Sequence, residues 1–293
     1  MQHVQCDSMT DSQISHVSDT ARWVAMYRVM ESERPDALFR DPYACRLAGE
    51  RGAAILGAVP KGREWAWPMI VRTAVFDELI RETVGRGADT VLNLAAGLDA
   101  RPYRMALPSG LRWIEVDFPD VLEYKRNELA GERPVCRIER EPADLTDAEQ
   151  RRAVLAKVAR GARRVLVVCE GLLIYLRPEQ VAALAADLRA QRAFRWWLID
   201  LASPRLLQWM DRGWGPAVRG GSAAFHFAPA DGTAFFAPHG WREAEFRSTM
   251  VDARRLKRAP RIARLWRLLG LLQSRKRRQE MARFSGSVLL ERA

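Results

Sequence analysis

From Asp89 to Leu201 the chain switches repeatedly between short apolar runs and longer amphipathic stretches, and this alternation restricts the fold more than any other feature. Asp89–Leu94, Arg112–Val116, Val135–Glu139, Arg164–Cys169 and Trp196–Leu201 read as strands. Ala100–Ala106, a stretch running to Ala130, another from Asp144-Leu145-Thr146-Asp147 to Ala159, and Pro178–Gln191 read as helices between them. The Val165-Leu166-Val167-Val168 run is apolar on both of its faces, as in a parallel strand covered by helices on either side. The expected fold is therefore α/β: a doubly wound, mostly parallel seven-stranded sheet completed by Trp241–Arg247 and Gly286–Arg292.

Three helices are expected ahead of the sheet: Ala21–Glu33 capped by Ser18-Asp19-Thr20, a short one from Asp41-Pro42-Tyr43 through Leu47, and Met69–Thr83 ending before Gly85 and Gly87. Residues 1–17 read as a flexible leader and 18–293 as one domain. Residues 205–240 are rich in Gly, Pro, Phe and Trp without a period, and read as a lid over the mouth of the sheet.

Four scattered cysteines without a CxxC pair, and four histidines far apart in sequence, give no support to a zinc site. The first residues are polar, and no stretch approaches the ~18–20 apolar residues of a membrane span, so a soluble, cytoplasmic protein is expected. The charge is local. From Asp252 to Arg283 twelve Lys or Arg face only Asp252 and Glu280, giving that segment +10 of the chain's +11. Ile262, Leu265, Trp266, Leu269 and Leu272 share one helical face there. The segment reads as a helix docked on its own domain. Peripheral contact with anionic lipid through 254–283, or an electropositive wall for an acidic substrate, also fits. Without a recognised nucleic-acid-binding motif, nucleic acid is an unfavoured partner.

The chemistry is concentrated at the ends of the strands. In Val91-Leu92-Asn93-Leu94-Ala95-Ala96-Gly97-Leu98-Asp99, small residues follow a buried strand, where backbone can approach a ligand closely at a helix N-terminus. Asp117 ends the next strand 20 residues after Gly97, the offset at which doubly wound folds present a carboxylate to ribose hydroxyls. The full GxGxxG spacing is missing, which argues for an adenosine-type ligand without a pyrophosphate. Asp144 and Glu170 end two further strands, and a lone carboxylate after Val-Leu-Val-Val is costly to bury without a partner.

The ordered set Leu94–Arg104, Glu115-Val116-Asp117-Phe118-Pro119, Pro142-Ala143-Asp144-Leu145 and Cys169-Glu170-Gly171-Leu172-Leu173-Ile174-Tyr175-Leu176 resembles the leucine carboxyl methyltransferase family, in particular its bacterial branch of small-molecule O-methyltransferases. Ser18-Asp19-Thr20-Ala21 and Arg40-Asp41-Pro42-Tyr43-Ala44 resemble the same branch. The resemblance runs from about residue 18 to about 204. It implies a class I, Rossmann-like methyltransferase fold and S-adenosyl-L-methionine as cofactor. It further implies that Ala95, Ala96 and Gly97 hold the methionine part, Asp117 (with Phe118 beside it) the ribose, and Asp144 and Leu145 the adenine. Glu170, with Gly171, would lie next to the methionine, and Arg72 would pair with its carboxylate. Arg28 is the candidate for a second basic partner. Asn93 departs from the acid that many methyltransferases carry in the first strand.

The expected reaction is O-methylation of a carboxylate or phenolic hydroxyl on a small, secondary-metabolite-like acceptor. The alternatives are methylation of a protein C-terminal carboxylate and a non-catalytic cofactor-binding interaction protein. A carboxylate acceptor needs no base, whereas a phenol with a pKa of about 10 benefits from one. Tyr175 is the candidate to contact the acceptor, and His226, with His239 behind it, the candidate base.

Overall fold

The computed structural model describes residues 17–59, 61–213, 224–260 and 274–293. Seven strands form one sheet: β1 (Thr90–Leu94), β2 (Arg112–Asp117), β3 (Arg137–Pro142), β4 (Val165–Cys169), β5 (Phe194–Ala202), β6 (Trp241–Ser248) and β7 (Ser285–Arg292). Their order is β3-β2-β1-β4-β5-β7-β6. The first five pair in parallel, and β7 enters antiparallel between β5 and β6, so the expected doubly wound, mostly parallel seven-stranded sheet is present.

Alternation along each strand divides the core. Leu92, Leu94, Ile114, Val116, Val165, Val167, Trp197 and Ile199 face one layer, built from α6 (Ala148–Arg160) and α7 (Pro178–Ala190). Val91, Trp113, Leu166, Val168 and Leu198 face the other, built on α3 (Trp67–Gly85). A side-chain period of two explains why the apolar runs of β1 and β4 are buried at every position.

Strand order reverses between β1 and β4, because the chain leaves β1 toward β2 and β3 and returns to the opposite side of β1. In such sheets ligands bind in the crevice outside the carboxyl ends at this switch point. α1 (Val17–Ser32) and α2 (Ala44–Ala58) pack on each other beside this crevice, and α1 contributes to its wall.

Several boundaries differ from the sequence expectation. β3 runs from Arg137 to Pro142 rather than from Val135, because Val135 is exposed and donates its N–H to Pro102 outside the ladder. The helix after the first turn shrinks to α4 (Arg101–Arg104). α2 continues well beyond Leu47, with a break at Gly49, whose φ of 60° falls in the left-handed region. The expected lid contains a helix, α8 (Pro204–Gly213), and a 3₁₀ stretch, Gly232–His239, whose Phe236 is fully buried. α5 (Pro119–Glu128), α9 (Thr249–Arg255) and α10 (Arg275–Ala282) complete the described helices. The leader apart from Val17, and the apolar face at 262–272, lie outside the described residues. No helix among the described residues is long and apolar enough to cross a membrane.

Candidate active site

A cavity of about 460 Å³ opens at the carboxyl ends of β1, β2, β4 and β5. Its floor begins with the turn after β1. Ala95 has φ 54° and Gly97 φ 47°, and a non-glycine residue in the left-handed region is a local strain that the surrounding fold must hold. The Gly97 N–H donates to Asp117 Oδ2 at 2.7 Å and the Phe118 N–H to Asp117 Oδ1 at 2.8 Å. Asp117 at the end of β2 is thereby aimed at the turn that follows β1. Burial pushes its carboxyl above the ordinary value, and the two backbone donors offset only part of that.

Asp144 follows β3, accepts from the Thr146 N–H and hydroxyl, and lines the same cavity with Leu145. Glu170 follows β4. Its two oxygens bridge two arginines: Arg72 Nε at 3.1 Å and Arg101 Nη1 at 2.7 Å. Gly171, with φ 70°, turns the chain immediately afterwards, and a Cβ there would meet the Arg72 guanidinium at 3.4 Å. The expected cofactor residues Arg28, Arg72, Ala95, Ala96, Gly97, Asp117, Phe118, Asp144, Leu145, Glu170 and Gly171 therefore all line one cavity.

A chain of charge runs along the cavity wall and, through Asp77, Arg104 and Asp41, behind it. Asp200 on β5 accepts from Arg72 Nη1 at 3.1 Å and from the Gly171 N–H at 2.7 Å. Arg72 leads to Glu170, and Glu170 to Arg101, whose other contacts are Asp99 at 2.9 Å and Asp77 at 2.6 Å. Asp77 pairs with Arg104, Arg104 approaches Asp41 at 3.8 Å, and Asp41 holds Arg28 at 2.8 Å. Arg28 also donates to the Leu98 carbonyl at 2.7 Å. Burial alone would raise the Asp99 carboxyl, but Arg101, Lys125 and Arg104 outweigh it and hold it at about 2. Burial disfavours the charge on Arg72, yet Asp200 and Glu170 raise its pKa overall. The Asn93 amide donates to Asp99 at 2.9 Å, so the departure in the first strand serves to fix this carboxylate.

Sequence reasoning passed over Asp200, Asp99, Asp77 and Arg101. Asp200 carried the same signal as Glu170, a lone acid in an apolar strand, but β5 continues two residues past it to Ala202. Tyr175 lines the cavity; burial raises its phenol, which packs 5.7 Å from the Phe225 ring. His226 does not line the cavity and is exposed. Its neighbours Phe225 and Phe227 line the cavity, while the His226 and Phe227 N–H groups both donate to the Ile174 carbonyl. His239 packs beside Phe235 at 5.7 Å, also outside the cavity lining. Among the described residues no cluster of three or more His, Cys, Asp or Glu side chains is arranged to hold a metal.

The sequence pattern of the leucine carboxyl methyltransferase family matches residues 21–189, more than half of the chain. The chain belongs to the leucine carboxyl methyltransferase family. It is an S-adenosylmethionine-dependent methyltransferase with the class I fold. Relatives from two Streptomyces species, both named as S-adenosyl-L-methionine-dependent methyltransferases, agree with this. The one from Streptomyces coelicolor is 35% identical over 241 residues, covering 78% of this chain and 84% of its own. The one from Streptomyces avermitilis is 34% identical over 254 residues, covering 80% and 87%. The fold is similar to a solved structure from Thermobifida fusca, with TM-score 0.57, 14% identity and 99% of each chain covered. A second solved structure, from Streptomyces avermitilis, has TM-score 0.57 at 13% identity and covers 97% of this chain and 99% of its own.

Proposed function

We propose that this family member methylates an oxygen, a carboxylate or phenolic hydroxyl, on a small organic acceptor enclosed by the cavity. The observation that carries the reading is the division of the cavity. Carboxylates and arginines gather at the strand ends, while Trp23, Trp65, Met69, Leu206, Met210 and Phe225 supply an apolar, aromatic remainder. Apolar walls with a few convergent polar groups suit a small-molecule ligand.

S-adenosylmethionine supplies the methyl group on a positively charged sulfur. Asp117 receives the ribose hydroxyls, relieving the cost of burying its charge. Asp144 and the Leu145 backbone read the adenine, and the strained Ala95–Gly97 turn lets backbone approach the methionine part. Arg28 and Arg72 pair with the methionine carboxylate. The residues suit this ligand electrostatically as well. Five carboxylates (Asp41, Asp77, Asp99, Glu170, Asp200) face four arginines (Arg28, Arg72, Arg101, Arg104) in the buried chain, a balance of −1 against a ligand of net charge +1. Leu206, Met210, Phe225 and Phe227, from the described parts of 205–240, cover the acceptor, and enclosure lets positioning and exclusion of water lower the barrier.

Calorimetric titration with S-adenosylhomocysteine tests the cofactor half. Micromolar binding is expected for the wild type and its loss for Asp117→Ala. A folded wild type that fails to bind overturns the reading.

A further inference from the structure

We propose that the acceptor is a neutral hydroxyl on an aromatic body, not a carboxylate, and that Asp200 is the catalytic residue that takes its proton. This rests on the methyltransferase reading above and narrows its substrate class.

The charge around the cavity carries the argument. A carboxylate acceptor would need a cation to replace its lost hydration, since burying an unpaired carboxylate is costly. The three arginines that line the cavity are all committed. Arg28 is held by Asp41 and the Leu98 carbonyl, Arg72 by Glu170 and Asp200, and Arg101 by Asp77, Asp99 and Glu170. Arg28 and Arg72 are, in the reading above, further assigned to the cofactor carboxylate, and the remaining Arg101 amino group donates to the Thr73 carbonyl at 3.3 Å. Among the described lining residues no other Lys, Arg or His is present, and five lining carboxylates (Asp99, Asp117, Asp144, Glu170, Asp200) exceed the three arginines by two, so a bound donor of net charge +1 still leaves one negative charge in excess. An anionic acceptor would meet surplus negative charge, while a neutral acceptor that releases a proton would meet a group able to take it.

Asp200 is the member of the chain of charge best placed for the proton. It lies on β5 among the residues leading to the apolar half, Leu201, Ala202, Leu206 and Met210, and its side chain is 22% exposed, against 14% for Glu170 and 12% for Asp99. The charged and titratable groups around it are Arg72 on α3, Glu170 and Tyr175 in the segment after β4, and Cys169 at the end of β4. Across β7 its register partner is the neutral Ser287. Tyr175 and Cys169 are both held protonated by burial, the thiol pushed up to about 12. His226 lies outside the lining. In the reaction the acceptor oxygen forms a bond to the methyl carbon, the carbon–sulfur electron pair stays with sulfur, and the hydroxyl proton passes to Asp200. Asp200 returns it to solvent when the products leave.

The test uses two probes of one shape, 2-naphthol and 2-naphthoate. Titrated into the wild-type protein saturated with S-adenosylhomocysteine, naphthol is expected to bind at least tenfold more tightly. Tighter binding of naphthoate, or binding of neither, overturns the inference while leaving the methyltransferase reading intact. Failure to bind S-adenosylhomocysteine at all overturns both. Asp200→Asn, assayed at saturating S-adenosylmethionine because Asp200 also holds Arg72, is then expected to methylate naphthol about 10²-fold more slowly or worse near neutral pH. Its rate should climb about tenfold per pH unit toward the phenol pKa of about 10, because only preformed phenolate then reacts. A variant that keeps the wild-type pH profile overturns the role of Asp200.

Discussion

At the scale of single residues, two buried carboxylates make opposite predictions. Glu115 and Lys125 are both fully buried and pair at 2.7 Å, with Arg140 on the second Glu115 oxygen. Glu115→Leu leaves the fully buried Lys125 ammonium without its ion-pair partner, so this variant is expected to cost about 3–5 kcal/mol in urea unfolding. Asp117 is held by two backbone donors and is raised by burial, so its ligand contacts matter more than its internal ones. Asp117→Asn is expected to weaken S-adenosylhomocysteine binding about 10–100-fold, the worth of about 1.5–3 kcal/mol for hydrogen bonds to a charged group, measured by calorimetry. Asp117, Asp144 and Glu170 were legible in the sequence because each closes a strand, and strand ends define the crevice. Asp99 and Asp77 were not. They act through Arg101, and nothing in one dimension indicates that a helix-start arginine turns back under the sheet to meet α3.

At the scale of elements, the sequence located the strands well because buried parallel strands have unmistakable composition. It truncated α2, where Gly49, Gly52 and Gly57 lower the helical signal of an otherwise regular run. Gly52 has a packing reason: a Cβ there would lie 2.9 Å from the Arg22 carbonyl oxygen on α1. Gly52→Val is expected to push the two helices apart at a cost of about 1–3 kcal/mol. Because α1 contributes Thr20, Ala21, Val24 and Arg28 to the cavity, the same variant should bind S-adenosylhomocysteine more weakly. Thermal unfolding beside calorimetry checks both. Residues 205–240 read in the sequence as aromatic-rich and without a period, but the 3₁₀ stretch Gly232–His239 was not legible, because a period of three over eight residues containing Pro238 is easily lost.

At the scale of the whole molecule, buried ion pairs connect regions distant in sequence, and they set the response to acid. Asp99 sits at about 2 against an ordinary 3.8, so the folded state releases its proton more readily than the unfolded chain. The resulting stabilisation, about 2 kcal/mol, is present above about pH 4 and lost as pH falls through about 2. Asp89 and Glu243 are lowered in the same direction, while Asp117, raised, opposes them. Asp99→Asn is therefore expected to be less stable than wild type at pH 7 and to converge with it near pH 2, followed by thermal melts across that range. The basic segment is also partly accounted for at this scale. Arg255 pairs with Glu78 and Asp252, Arg258 is buried against Glu31 of α1, and Arg283 pairs with Glu243. Sequence alone gave the charge of that segment but not these partners, up to 227 residues away.

The cavity draws its two halves from different kinds of structure, and this has an evolutionary consequence. The polar half is built from strand ends and a strained turn, parts that cannot shift without disturbing the sheet. The apolar half is built from α1, the 61–69 stretch, α8 and the segment around Phe225 and Phe227, with Trp65 and Trp209 meeting 4.8 Å apart. Substitutions there can accumulate while the sheet and its methyl donor site stay under constraint. On the proposed division, relatives that share the donor and differ in acceptor are expected to differ first in those walls.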